Sequence, residues 1–184
     1  MKMSTCIICC LLLMILACSL GAQDQDATSR SAHDFVQQFY SWYVPKVLND
    51  HHGLASDLAL KDKGDEFSPE LFQALKQDSD AQSKVEGYIV GLDFDPFLNT
   101  QDPCERYELG RVTQTGSTYW VEVYGICSGK KNAKPDVTCE VGQRDSRWEF
   151  VNFHYENLTK DYPNSADLLA TLKLLSKERQ KGSH

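Results

Sequence analysis

RYELGRVTQTGSTYWVEVYGIC, residues 106–127, is the stretch whose reading decides the fold. Apolar and polar residues alternate on either side of Thr115-Gly116-Ser117, and a period of two is the signature of a strand with one buried face. Two strands, Arg106–Thr113 and Thr118–Cys127, therefore fold back through a tight turn. The pattern resumes at Val137–Val141 and Arg147–Tyr155, with Gly142–Ser146 turning between them. Four strands with short connections make an antiparallel meander.

Working outward, the flanks are helical. Upstream, Ser31 and Asp34 stand in a capping-box arrangement, and Phe35, Val36, Phe39, Tyr40 and Tyr43 follow at helical spacing, with Pro45 ending or bending the helix. A charged stretch from Asn49 to Glu66, with His51 and His52 inside it, reads as loop or weak helix. A second helix opens at Ser68-Pro69-Glu70, an N-cap, a first-turn proline and an acid at the positive helix end, and buries Leu71, Phe72 and Leu75. Downstream, Leu168, Leu169, Leu172 and Leu175 mark one face of a closing helix from about Ser165 to Lys177. Helices, then sheet, then helix is an α+β order, with the helices on one side of a curved antiparallel sheet.

The N-terminus reads as an export segment. Lys2 supplies one positive charge, Cys6–Leu16 is an apolar run, and Ala17, Ser19, Gly21 and Ala22 are small. A membrane-spanning helix needs about 20 apolar residues, and this run is shorter. Two cleavage points compete. Ile15-Leu16-Ala17-Cys18 resembles a bacterial lipobox, which would place lipid on Cys18; the rival cut follows Ala22. The expected organisation is a signal over 1–22, a polar tether over 23–30, one domain over 31–178 and a polar tail over 179–184. Residues 1–22 hold one Lys and no acid, so their removal takes the formal charge from −7 to −8. Such a balance argues against nucleic acid and anionic lipid as partners, leaving a lipid anchor as the only membrane attachment.

Of seven cysteines, Cys104, Cys127 and Cys139 lie in the domain. They form no CxxC pair and have no His at ligand spacing, so no structural metal is expected. An oxidising compartment favours one disulfide. Cys127 and Cys139, on consecutive strands, are the expected pair, with Cys104 left as the thiol.

The candidate chemistry centres on LDFDPFLNTQD, residues 92–102. Asp93 and Asp95, joined by Gln101, Asp102 and Arg106, read as a carboxylate group at a pocket mouth, where a shielded acid could serve as a base. In the competing reading, favoured over the first, Asp95-Pro96 starts a turn and its acids cap backbone N–H groups. His154, on one strand face with Trp148, Phe150 and Asn152, is a further acid–base candidate, more often a hydrogen-bonded strand residue. Val151, Phe153 and Tyr155 are expected on the opposite face. Trp120 and Tyr124 are binding candidates among aromatics that are otherwise core. No nucleophile elbow, metal motif or phosphate loop occurs, so no cofactor is implied. Asn157-Leu158-Thr159 matches a glycosylation acceptor pattern.

Four segments together resemble a family of exported bacterial domains of unknown function, catalogued as domain of unknown function 3828, which includes envelope lipoproteins. They are FVQQFYSWYV, FSPELFQALKQD, LDFDPFLNTQDP and W-x-F-V-N-F, in that order between about Asp34 and Leu175. The family is similar in architecture to the nuclear transport factor 2-like cone, which implies helices folded on a curved sheet. It implies no activity, since that fold hosts isomerases, dehydratases and noncatalytic binders alike. Three functions are therefore open: an envelope module that binds a protein or small ligand, which is the first choice; an acid–base enzyme with a small pocket; and a secreted inhibitor or immunity-type protein with an acidic binding face.

Overall fold

A computed structural model of the chain describes residues 4–49, 55–155 and 167–182. Four helices, α1 (Ser4–Asn49), α2 (Ala55–Lys63), α3 (Pro69–Gln82) and α4 (Leu168–Gly182), accompany five strands. These are β1 (Arg106–Thr115), β2 (Thr118–Cys127), β3 (Lys130–Lys131), β4 (Val137–Arg144) and β5 (Arg147–His154). All strand pairs are antiparallel, in the order β1-β2-β4-β5, with β3 on the end of β2. The fold is α+β on a curved antiparallel sheet, as the alternating pattern predicts.

The turns follow their residues. Gly116-Ser117, Ser128-Gly129 and Asp145-Ser146 are two-residue hairpin loops between paired residues. At least one residue in each has a positive φ, the twist that such short loops require. β4 consequently runs on to Arg144, where the sequence suggests a turn from Gly142.

The core lies between α1 and the inner sheet face. Phe39 of α1 meets Phe150 at 4.8 Å and Phe97 at 5.5 Å; Phe97 reaches Phe153 at 5.0 Å. Tyr43, Phe67, Val121, Val123, Cys139 and Val141 complete it. Each edge of the sheet is guarded. Ser68 N–H donates to Phe150 O at 2.8 Å alongside β5, while β1 carries Arg106, Glu108 and Arg111 on its free side and a bulge between Leu109 and Val112.

Three expectations are corrected. First, α1 neither begins at Ser31 nor ends at Pro45. Its helical backbone runs through residues 23–30 and includes Cys18, and the Ser31 hydroxyl accepts from Trp148 Nε1 at 2.9 Å instead of capping. Past Pro45 the helix continues one turn, where Asn49 Nδ2 donates to the Pro45 carbonyl at 2.6 Å. Second, the disulfide joins Cys104 to Cys127, and Cys139 is the buried free thiol. Cys127 pairs with Lys130 of β3, four residues beyond the last β2–β4 pair at Val123, whereas Cys139 lies opposite Val121 and points inward. The small β3 hairpin thus separates the two cysteines that consecutive strands seemed to bring together. Third, a bulge at Val151, between the pairs Val141↔Phe150 and Glu140↔Asn152, reverses the alternation along β5. Trp148, Phe150 and Phe153 share the inner side, and His154 falls on the outer face opposite Thr138.

Among the described residues no helix is long and apolar enough to cross a membrane. His51, His52 and Asn157-Leu158-Thr159 lie outside the described residues.

Candidate functional site

The carboxylate segment folds as a plug. Residues 92–102 cross the mouth between α1 and the sheet and insert Phe97 and Leu98, both essentially fully buried. Asp95 holds the turn: its Oδ1 accepts from Phe97 N at 2.9 Å and Leu98 N at 3.2 Å, and its Oδ2 accepts from the Tyr43 hydroxyl at 2.9 Å. Burial pushes the Asp95 carboxyl up to about 6, against the opposing pull of these three donors. The surrounding phenols are locked in the same way. Tyr40 OH donates to Phe97 O at 2.6 Å and Tyr155 OH to Pro96 O at 2.7 Å. Burial drives the Tyr40, Tyr43 and Tyr155 phenols well above their usual range. Asp95 is thus the cap of a buried turn, with every donor near it serving the fold.

The other members of the expected group do not join it. Asp93 is exposed, and its backbone carbonyl accepts from Gln101 Nε2 at 2.9 Å. Asp102 is exposed, its backbone stapled to the Thr100 hydroxyl. Arg106 is exposed and faces Glu108 at 3.8 Å. Hence Asp93, Asp95, Asp102, Gln101 and Arg106 form no common site.

Trp120 and His154 do come together on the outer face of the sheet, and Tyr124 lies further along the same face, outside the cavity lining. The Trp120 and His154 rings stack at 4.1 Å, 16° from parallel. His154 Nε2 lies 2.9 Å from Glu140 Oε2, and Glu140 Oε1 accepts from the Thr118 hydroxyl at 3.0 Å. Beside them, Glu122 gathers Arg111 Nη2 at 2.8 Å, the Arg111 N–H at 3.3 Å and the Tyr124 hydroxyl at 2.9 Å. Burial alone would raise the Glu122 carboxyl, but the Arg111 and Tyr124 hydrogen bonds outweigh it and hold the group below its usual range. The β1 bulge makes this possible by setting Gly110 and Arg111 together opposite Glu122. A Cβ at Gly110 would come within 2.5 Å of the Tyr124 ring, so the bulge residue must be small. Lys131 Nζ covers that ring at 4.4 Å.

A cavity of about 470 Å³ opens here, lined by Arg111, Thr113, Thr115, Trp120, Glu122, Thr138, His154 and Tyr155. Its polar side chains already engage one another, Arg111 with Glu122 as an ion pair and His154 with Glu140 through a hydrogen bond. One group does not: the Trp120 indole N–H is buried with no acceptor. A buried donor without a partner costs about 1–3 kcal/mol. Among the described residues no cluster of three His, Cys, Asp or Glu side chains forms a metal site.

Arg111, Glu122, Thr138 and Glu140 escape a motif search, yet part of the signal is present. Trp120, Glu122 and Tyr124 occupy alternate positions of one strand and must share a face. No protein-family model, curated protein or solved structure matches the chain.

Proposed function

We propose that the protein is an exported binding module that takes a small, uncharged, hydroxyl-bearing ligand on the outer face of its sheet. The 470 Å³ cavity lined by Trp120, whose buried indole N–H has no acceptor, supports this reading most directly. A small turn of the indole towards the cavity would let a ligand oxygen relieve the orphan donor, and Thr113, Thr115 and Thr138 offer hydroxyls along the cavity wall. Because Arg111 is already paired with Glu122, an anionic ligand would have to compete with that carboxylate for the guanidinium. The filled interior beneath the Asp95 turn leaves the outer cavity as the better candidate for a ligand.

The N-terminal pattern supports export to a bacterial envelope, with lipid on Cys18 or release after Ala22. Intact mass of protein recovered from an expressing bacterium decides between these, and retention of Met1 overturns export.

One observation favours a second reading, in which His154 works as an acid–base group oriented by Glu140 at 2.9 Å. The two readings separate in one experiment. The Trp120 indole resonance in a proton–nitrogen correlation spectrum, assigned through Trp120→Phe, is followed during titration with neutral polyols, nucleosides and their charged counterparts. Binding predicts that neutral compounds move this resonance and that His154→Gln still binds them. Turnover of a bound compound that His154→Gln abolishes supports the enzyme instead. Ligands that leave the Trp120 resonance unmoved overturn the site.

A further inference from the structure

A second concave site lies between α3 and α4. Ala74, Gln77 and Ala81 of α3, and Leu172, Ser176 and Gln180 of α4, stand three or four residues apart and so line one face of each helix. The small side chains among them leave a trough between the helices. It has two adjoining stretches, of about 770 Å³ and about 310 Å³, which share Gln77, Ser176, Arg179 and Gln180. From Ala74 to Ala81 it follows the helix for about 10 Å, and Val85, Tyr88 and Val90 extend it beyond the end of α3. This apolar extension is tied in place. Gln82 donates through Nε2 to Tyr88 O at 3.1 Å and accepts at Oε1 from Val90 N at 2.8 Å. Arg179 Nη1 donates to Asp78 Oδ1 at 2.6 Å and to Val90 O at 3.0 Å. Tyr88 is 65 % exposed, so a ligand lying along it removes apolar area from water.

The charge of the trough is one-sided. Lys84, Lys173, Lys177 and Arg179 line it and no Asp or Glu does, on a chain whose formal charge is −7. Two of these cations are answered by acids outside the lining, Lys173 by Glu70 at 2.9 Å and Arg179 by Asp78. Lys84 and Lys177 are exposed and have no ion-pair partner among the described residues. An elongated apolar trough rimmed by unanswered ammonium groups is complementary to a molecule with a linear apolar body and an anionic head. The acids elsewhere on the chain repel an anionic bilayer, whereas a single chain entering the trough meets only its lining.

We propose that the α3–α4 trough binds a long-chain carboxylate, with its alkyl chain along Ala81, Val85, Tyr88 and Val90 and its carboxylate at the Lys84 and Lys177 rim. The purified protein is titrated with laurate below its micelle concentration, and with dodecanol and dodecylamine as neutral and cationic counterparts. The methyl resonances of Ala81, Val85 and Val90 are followed in a proton–carbon correlation spectrum. Laurate is expected to move these methyls and to bind at least about tenfold more tightly than dodecanol, while dodecylamine leaves them unmoved. Lys84→Glu with Lys177→Glu is expected to weaken laurate binding about tenfold or more at an unchanged melting temperature, since both side chains are exposed. Equal binding of laurate and dodecanol, or a double variant that binds laurate as the parent does, overturns the proposal. So do laurate shifts confined to the Trp120 indole. An acidic amphipathic peptide that moves the same methyls when laurate does not overturns it in favour of a protein partner.

Discussion

The two faces of the sheet are made from alternate residues of the same strands, yet they are built on opposite principles. On the inner face Val121, Val123, Cys139, Val141, Phe150 and Phe153 interlock with α1 and with the Phe97 plug, and each buried polar group has its partner inside the fold. The outer face carries Trp120, Glu122, Tyr124, Glu140 and His154, where Arg111 pairs with Glu122 and His154 hydrogen-bonds Glu140 around an open cavity, and one indole N–H is left unanswered. The inner face holds the molecule together, and the outer face keeps an open cavity, the place proposed for a ligand. An interior acid with a raised pKa is therefore no guide to chemistry here, because Asp95 is consumed by its own turn.

The largest effect expected is at the plug. Phe97→Ala removes a fully buried ring that contacts Phe39, Tyr43, Phe67 and Phe153, and should cost about 3–5 kcal/mol in denaturant unfolding. Should Phe97→Ala unfold like the parent protein, the inner face would not be the stabilising one and the contrast would fail.

Next is the cross-link at the open end of the β1–β2 hairpin. Replacing Cys104 and Cys127 with Ser removes closure of a loop with a sequence separation of 23, worth about 3 kcal/mol in the chain-entropy model. Because burial pushes the Cys139 thiol up to about 12, it should resist alkylation until the chain unfolds. Peptide mapping that finds Cys139 in a disulfide would refute the register of β2 against β4.

These cases show which features could be read from the residues. The meander was legible because period-two alternation and Gly or Ser at the turns report strand identity directly, and α3 because Ser68-Pro69-Glu70 states its own start. The Cys104–Cys127 bridge was not, since a two-residue strand at Lys130–Lys131 leaves almost no periodic signal while displacing everything after it. Nor was the outer site. One bulge residue, Val151, decides whether His154 joins Phe150 or Trp120, and a bulge changes register without changing composition. The Asp95 turn was readable as a structural alternative from Asp-Pro, but that Tyr43 and Phe97 would close over it depends on contacts distant in sequence.

Asp95 also makes a prediction in pH. Its carboxyl titrates near about 6 when folded and at the ordinary carboxylate value, 3.8, when unfolded. Between those values the unfolded chain has lost the proton that the folded chain keeps, so stability falls as pH rises from about 4 to about 6. The change is on the order of 2 kcal/mol. Asp95→Asn keeps an oxygen for the Phe97 and Leu98 N–H groups and removes the titration, so its stability should be flatter over that interval. A parent protein equally flat there would show that Asp95 is ionised at no cost.

The smallest effect on stability, and the sharpest test of the contrast, is expected from Trp120→Phe. The substitution keeps an aromatic ring against His154 and deletes the indole N–H. Two terms oppose each other. Losing the larger ring sacrifices contacts with His154, whereas removing a buried donor without an acceptor relieves about 1–3 kcal/mol. They nearly cancel, so unfolding should move by less than about 1 kcal/mol, far less than for Phe97→Ala. Ligand binding has no such compensation, because the acceptor that the ligand brings would find nothing to meet it. Affinity should fall about tenfold or more, the worth of one well-made hydrogen bond in a shielded site. A Trp120→Phe protein that unfolds as readily as Phe97→Ala would make the outer face part of the stabilising core. One that binds every outer-face ligand as tightly as the parent would show that the orphan N–H is an accident of packing.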